Sequence, residues 1–283
     1  MSATIKLIQY VFLLAAYAIP FSAAFSQQHE PVSYEVCTSP GCLADGARET
    51  INKMQALAPP GVIVKPGDCC SLCGNGPIVM KTGGKYVSKN KNVKSDSNKL
   101  LDLLTTTDGE GSNPPLEIPE KVIQGYDLSV QARGAYDKGL YREADELYER
   151  AIDTAFRPAM EVQAIREKSK SDNLSRMGIP VGLLWLVNAR QNQASARLAL
   201  GDVDGAVLAA QASCNLARNR CPKALEVLAE VYQKKGDLRS ELQAIKNMFD
   251  LPVDETKLPR QVANRRRELG FRRTKLQNEL GKN

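Results

Sequence analysis

Apolar positions in the first third of the chain follow two periods. Tyr34 and Val36 alternate with polar residues, and residues 62–64 form a second short apolar run, so both stretches predict buried strands. Between them, apolar side chains in residues 43–58 recur at the three- and four-residue spacing of a helix face, and a Pro-Pro-Gly sequence at 59–61 ends that pattern. The order predicts a βαβ unit.

Two further apolar runs, at residues 78–80 and 86–87, are separated by Gly83 and Gly84. Short strands joined through glycine predict a β-hairpin. Four leucines in residues 100–104 predict a closing helix. Together with the βαβ unit, these elements predict an α+β domain over residues 33–104.

From residue 119 onward the pattern is helical and repeats. Gly139, Gly201 and Gly236 each stand between two helical stretches, and the last two are 35 residues apart. A small residue seven positions before each glycine lets antiparallel helices approach closely. These residues are Ala132, Ala194 and Ala229. Helical hairpins at this period are typical of tetratricopeptide repeats (TPRs), so we predict an all-α TPR solenoid of about three repeats over residues 119–253.

Two segments extend the repeat pattern. Gly139 and Gly201 are 62 residues apart, and the extra length falls near residues 158–182, which predicts an elongated helix pair or an inserted loop. Residues 254–283 carry a heptad-like apolar stripe between arginine clusters and predict one more helix, which is basic. The stripe consists of Val262, Leu269, Leu276 and Leu280.

Residues 105–118 separate the two predicted domains. They lack hydrophobic periodicity and are dense in Gly, Pro and polar residues, which predicts a linker. Residues 255–283 contain nine Lys or Arg against three Glu, a balance equal to the formal net charge of +6, and these basic residues predict an acidic protein or a membrane complex as partner. Aromatic residues for base stacking do not alternate with these cations, which argues against nucleic acid. The basic residues concerned are Arg265, Arg266, Arg267, Arg272, Arg273 and Lys275.

Residues 1–24 have the pattern of an export signal, with a lysine ahead of an apolar stretch at 7–19 and small residues at 22–24 for cleavage. No later apolar stretch reaches the ~20 residues of a spanning helix, so we predict no transmembrane span in the mature chain. The sequence Ala-Ala-Phe-Ser at 23–26 resembles the junction of plastid-targeted proteins in algae with red-lineage plastids. That resemblance implies a plastid location, with residues 25–32 as a leader remnant or short transit segment. The secretory pathway is the alternative.

Five of the seven cysteines fall in one short segment. Cys37 and Cys42 follow the first predicted strand, whereas Cys69, Cys70 and Cys73 follow the second and precede a Gly-Asn-Gly-Pro sequence. Short loops can turn two thiolates toward one metal, and glycines let backbone amides approach the sulfurs. The pattern predicts a thiolate site built by two facing loops.

The spacings Cys37-x4-Cys42 and Cys69-x3-Cys73 resemble those of the thioredoxin-like [2Fe-2S] ferredoxins. The resemblance covers residues 33–104. It implies a thioredoxin-like fold and a [2Fe-2S] cluster held by the cysteines at 37, 42, 69 and 73. Cys70 is an alternative ligand, because Cys70 and Cys73 also form a spaced pair.

Three other chemistries fit the same cysteines. A disulfide scaffold suits an export signal but leaves one of the five thiols unpaired, structural zinc can use four thiolates, and Cys70 with Cys73 has the spacing of a redox dithiol. His29 is the only histidine and lies in the predicted leader. The sequence also lacks a P-loop and a dinucleotide fingerprint, so we assign no catalytic residue.

A cluster module joined to helical repeats predicts one-electron transfer or redox sensing, combined with protein binding in the repeat groove. Such a chain is an electron carrier or adaptor rather than a catalyst with its own substrate. The alternatives are an assembly or scaffold factor with a structural cluster, and a secreted disulfide-bonded repeat protein. Cys214 and Cys221 lie apart from the site and predict either a core thiol with a loop thiol, or a regulatory disulfide. We expect Trp185 in the repeat core.

Overall fold

The computed structural model describes residues 32–44, 46–58, 62–68, 77–82, 87–89, 118–168, 179–252 and 260–281. Its first part contains β1 (Val32–Cys37), α1 (Pro40–Ala44), α2 (Ala47–Leu57), β2 (Val62–Gly67), β3 (Ile78–Thr82) and β4 (Val87–Lys89). Its second part contains α3 (Glu120–Asp137), α4 (Tyr141–Lys168), a 3-10 helix (Val181–Leu183), α5 (Leu184–Ala199), α6 (Val203–Leu216), α7 (Pro222–Lys235), α8 (Leu238–Phe249) and α9 (Arg260–Leu280). An α+β start followed by an all-α region is therefore confirmed.

Several predictions concern residues outside these ranges. They include the signal at 1–24, nearly all of the leader at 25–32 and of the linker at 105–118, and the helix at 100–104. Cys69, Cys70 and Cys73 also lie outside the described residues.

The sheet has the strand order β2-β1-β3-β4. β1 is parallel to β2 and antiparallel to β3, and β3 is antiparallel to β4. Tyr34 and Val36 are buried in β1, as their alternation with polar residues requires. The predicted βαβ unit and hairpin are both present, and the helical connection returns the chain parallel to β1.

The single helix predicted over residues 43–58 is wrong at its beginning. Gly46 adopts a φ of 94°, a left-handed conformation that separates α1 from α2. Beyond this break, Ala47, Met54 and Leu57 are buried on one face of α2, as the spacing predicted. A lone glycine in a helical pattern therefore marked a boundary.

The predicted helix pairs are α3 with α4, α5 with α6, and α7 with α8. The glycine between the helices of each pair has a positive φ, which is 77° at Gly139, 82° at Gly201 and 78° at Gly236. A side chain at such a position is strained, so glycine suits these turns. The small residues seven positions earlier are all buried, as predicted, at Ala132, Ala194 and Ala229.

The extra length before Gly201 begins as helix. α4 continues through Pro158 to Lys168, so the first part of the predicted insertion is an elongated helix, and residues 169–178 lie outside the described ranges. The C-terminal helix α9 is also present. Its stripe is buried at Leu269 and Leu276, whereas Val262 lies in the first turn and is 49% exposed.

The sheet region, the first helix pair and α5 share one hydrophobic core, which includes Val36, Met54, Tyr126 and Trp185. Trp185 is buried, as predicted, and meets Tyr126 edge to face at 5.8 Å. A second core joins α6, α7, α8 and α9. Among the helices in the described residues, none is long and apolar enough to cross a membrane.

Candidate functional site: the cysteine edge of the sheet

Cys37 lies at the carboxyl end of β1 and Cys42 lies five residues later, and both are fully buried. Cys37 ends β1, the strand that lies between β2 and β3. Cys42 lies in the short helix α1, whose first residue is Pro40; proline at a helix start leaves no unmet N–H. The structure thus turns the chain sharply within five residues and keeps both thiols out of water.

The loop after β1 is anchored to the end of β2. Cys37 is in register with Gly67, and the carbonyl oxygen of Gly67 accepts hydrogen bonds from the backbone N–H and the hydroxyl of Thr38, each at 3.1 Å. The Cys37 Sγ donates to the Ser39 hydroxyl at 3.3 Å. A side chain at Gly67 would lie 2.8 Å from the Cβ of Glu35, so glycine permits this close approach of the two strands.

The segment that carries the other predicted ligands leaves and re-enters the sheet beside Cys37. The end of β2 at Gly67 lies on one side of Cys37, and β3 begins at Ile78 on the other side, with Val36 in register with Val79. The described residues therefore bring the two ends of segment 69–76 to the edge where Cys37 lies. They bring no group of three or more His, Cys, Asp or Glu side chains into a metal-binding arrangement.

The predicted basic helix uses several of its arginines in contacts within the chain. Arg272 donates two hydrogen bonds to the Glu241 carboxylate, at 2.7 and 2.8 Å, and Arg265 pairs with Glu226 at 2.9 Å. These bonds raise the pKa of both guanidinium groups. Arg266 and Arg273 both lie over the Phe249 ring of α8. Together with Arg265 and Arg272, four of the predicted partner-binding residues thus attach α9 to the last helix pair.

Glu241 is a buried charged residue that our interpretation of the repeat pattern did not single out. It occupies the position of Ala144 and Ala206 in the other two helix pairs and is only 2% exposed. The signal in the sequence was a charged residue at a small-residue position. Its partner Arg272 lies 31 residues later, beyond the reach of a periodicity argument.

Outward-facing residues of α9 include Arg267 and Phe271, the latter 79% exposed. Arg267 bonds Asn264 at 2.9 Å on the same face.

No protein-family model matches this chain, and no curated protein matches it significantly.

Proposed function

We propose that this chain is a thioredoxin-like [2Fe-2S] protein joined to a TPR scaffold. Its ligands would be Cys37, Cys42, Cys69 and Cys73. Its work would be one-electron transfer or redox sensing at a protein that the helical repeats bind. An assembly factor with a structural cluster is the alternative.

The position of Cys37 between the two ends of segment 69–76 carries this proposal. Gly67, the parallel-register partner of Cys37, precedes Cys69 by two residues in the sequence. Consecutive Cα atoms are ~3.8 Å apart and adjacent strands are ~4.8 Å apart. Chain connectivity therefore supports a second cysteine loop near Cys37.

The strand order supports the fold class within this proposal. A βαβ unit followed by an antiparallel hairpin is the arrangement expected from the ferredoxin resemblance, and it is the arrangement of β1 to β4. Parallel strands place their carboxyl ends at the same edge of a sheet, where ligands bind in open sheets. Both predicted cysteine loops follow such carboxyl ends.

The residues around Cys37 and Cys42 suit a thiolate cluster chemically. Such a cluster, when bound, accepts and releases one electron. The chain's own contribution is to hold the thiols in place through Thr38 and Ser39, and to exclude water by burying both cysteines against Ile78 and its neighbours in the core. Burial and hydrogen bonds near the sulfurs are the features that set the potential of such a centre.

The repeat region supplies the protein-binding half of the proposal. Stacked helical hairpins present an extended groove, and α9 is joined to the last hairpin by two ion pairs. The location that we propose is the plastid of a red-lineage alga, on the residues at 23–26, with the secretory pathway as the alternative.

The test is iron and acid-labile sulfide analysis of the full chain, purified without oxygen. We expect two irons and two sulfides per chain, and a visible spectrum that bleaches reversibly on reduction. Cys37→Ser, Cys42→Ser and Cys73→Ser should each lose the cluster, whereas Cys70→Ser and the matched control Cys214→Ser should keep it. One zinc without sulfide, or disulfides among these cysteines, would overturn the proposal. A cluster that does not cycle would favour the structural alternative.

A further inference from the structure

The turn between α6 and α7 brings Cys214 and Cys221 to one corner of the repeat region. The backbone N–H of Asn219 donates to the carbonyl of Cys214 at 2.8 Å, and that of Arg218 donates to Asn215 at 2.9 Å. These two bonds form a Schellman motif, which folds the chain back over the end of a helix. Cys221 follows two residues later as the N-cap of α7.

This turn contains one residue that does not favour its conformation. Arg218 and Asn219 have positive φ angles of 51° and 55°, and among the described residues they are the non-glycine residues with that conformation. Asparagine tolerates it, but at the turns within the helix pairs glycine occupies such positions. Arg218 also forms an ion pair with Glu167 of α4, at 2.5 Å. The turn between the two cysteines therefore places an arginine in a conformation that disfavours side chains.

The two thiols have different environments. Cys214 is 2% exposed in the second core, and burial together with the neighbouring Cys221 raises its pKa to about 12. Cys221 is half-buried and packs against that same core. The side-chain amide of Gln191, itself buried, donates to the Cys221 Sγ at 3.5 Å. This contact positions the Cys221 sulfur beside α5.

We propose that Cys221 and Cys214 form a thiol–disulfide exchange site, with Cys221 as the attacking thiol and Cys214 as the resolving thiol. The co-reactant is an oxidised disulfide, either a small one such as glutathione disulfide or that of a redox protein. This proposal is independent of the cluster. The proposed function does not require a disulfide between these two cysteines.

The exchange is balanced in two steps. The Cys221 thiolate attacks one sulfur of the incoming disulfide, forms a mixed disulfide and releases one thiolate. Cys214 then gives up its proton to that leaving thiolate and attacks the Cys221 sulfur, which releases a second thiolate; this thiolate takes up the proton that Cys221 lost on ionisation. The protein loses two electrons and two protons, and the co-reactant gains them. Only Cys221 is accessible enough to begin the reaction.

The product would tie the last turn of α6 to the first turn of α7. A disulfide requires Cα atoms within about 7 Å of each other. The Schellman bond joins Asn219 to the Cys214 carbonyl, and Cys221 follows two residues later and packs against the core that contains Cys214. The bond would lock the junction between the second and third helix pairs.

The experiment uses the full chain with glutathione disulfide, followed by alkylation and trypsin. Trypsin cleaves after Arg218 and Arg220, so the two cysteines fall on separate peptides, 198–218 and 221–223. We expect these peptides to be joined by a disulfide in the native chain. In Cys214→Ser, peptide 221–223 should instead retain a glutathione adduct, because no resolving thiol remains. In Cys221→Ser, Cys214 should stay a thiol at least tenfold longer than Cys221 does in Cys214→Ser.

Three outcomes would overturn the proposal. They are a stable glutathione adduct on Cys221 of the native chain, faster reaction of Cys214 than of Cys221, and no reaction of either thiol. Because the peptide masses report these two cysteines alone, loss of the proposed cluster during oxidation would not affect the result. A matched control, Ser195→Ala in α5, alters a neighbouring hydroxyl and should leave the exchange unchanged.

Discussion

The sheet region and the repeat region place their distinctive chemistry in opposite ways. In the sheet region the candidate site follows the regular pattern, because Cys37 ends a strand whose register partner, Gly67, precedes the second predicted cysteine loop. In the repeat region the distinctive residues are those that depart from the pattern. Glu241 replaces a small residue, and Arg218 adopts a conformation that glycine takes elsewhere.

This difference has a physical origin. Neighbouring parallel strands end on the same side of a sheet, so the residues that follow their carboxyl ends lie close together and can form a site. A helical repeat distributes equivalent positions along a line, and each helix pair contacts only its neighbours. A specific feature in such an array requires a local exception with its own partner, as Arg272 is for Glu241.

The largest effect expected is the loss of Arg272. Arg272→Ala leaves the Glu241 carboxylate buried without its partner, which should lower the free energy of unfolding by about 3 kcal/mol. Glu241→Ala should cost less, because Arg272 is 24% exposed on its side chain and can turn to water. The double variant should therefore be more stable than Arg272→Ala alone.

Urea unfolding followed by two probes tests this ranking. Trp185 is the only tryptophan and lies in the first core, whereas Glu241 is in the helix pair that α9 covers. Circular dichroism should therefore change before tryptophan fluorescence in Arg272→Ala. If Glu241→Ala lowered the free energy of unfolding more than Arg272→Ala, the unpaired buried carboxylate would not be the cause of the destabilisation.

The next effect concerns the close contact between α3 and α4. A Cβ at Gly125 would lie 2.7 Å from the carbonyl oxygen of Ala151 and would also overlap the Ala155 side chain, so Gly125→Ala should destabilise by about 2 kcal/mol. Gly134→Ala on the same helix is the matched control, because a Cβ there meets nothing within 4 Å. The control should stabilise by about 0.5–1 kcal/mol through helix propensity. Thermal unfolding of both variants measures the difference, and equal effects would contradict the packing argument.

A smaller effect should appear where the sheet region meets the repeats. The Arg166 guanidinium donates to the carbonyl of Ala58 at the end of α2, and a methyl group at Gly182 would overlap that guanidinium. Arg166→Met should therefore cost about 1.5 kcal/mol, the contribution of a hydrogen bond to a charged group. Gly182→Ala should add little once Arg166 is gone. A double-mutant cycle on the Trp185 unfolding transition measures this coupling, and additive effects would show that the two residues act separately.

The smallest effect is a pH dependence specific to the repeat region. Burial raises the pKa of the Cys214 thiol from 9.0 to about 12, so above pH 9 the unfolded chain ionises while the folded chain keeps its proton. The unfolded state then binds fewer protons, and stability falls as pH rises by at most about 1.4 kcal/mol per unit. Cys214→Ala should lose less stability between pH 9 and 10. Tyr148, whose pKa burial raises from 10.0 to about 12, should extend the loss at higher pH in both proteins. Urea titrations at each pH give the free energy of unfolding of the native chain and of Cys214→Ala. Parallel pH dependences of the two proteins would contradict this assignment.

Residue patterns along the chain were sufficient to predict the strands, the hairpin, the three helix pairs and their glycine turns. They were sufficient because periodicity and backbone preference are local properties, carried by a few neighbouring residues such as Gly139 or the Tyr34 and Val36 alternation. The misplaced start of α2 was also local, and Gly46 was its signal.

Tertiary structure alone decided which side chains are partners. The charge of the α9 arginines predicted an acidic partner, and only the structure shows that four of them contact α7 and α8 of the same chain. The carbonyl of Ala58 lies 108 residues before the guanidinium that it meets. Ion pairs and buried hydrogen bonds depend on how separate elements pack, and no period in the sequence encodes that distance. Element types therefore came from the sequence, and the partners of its charged residues came from the packing.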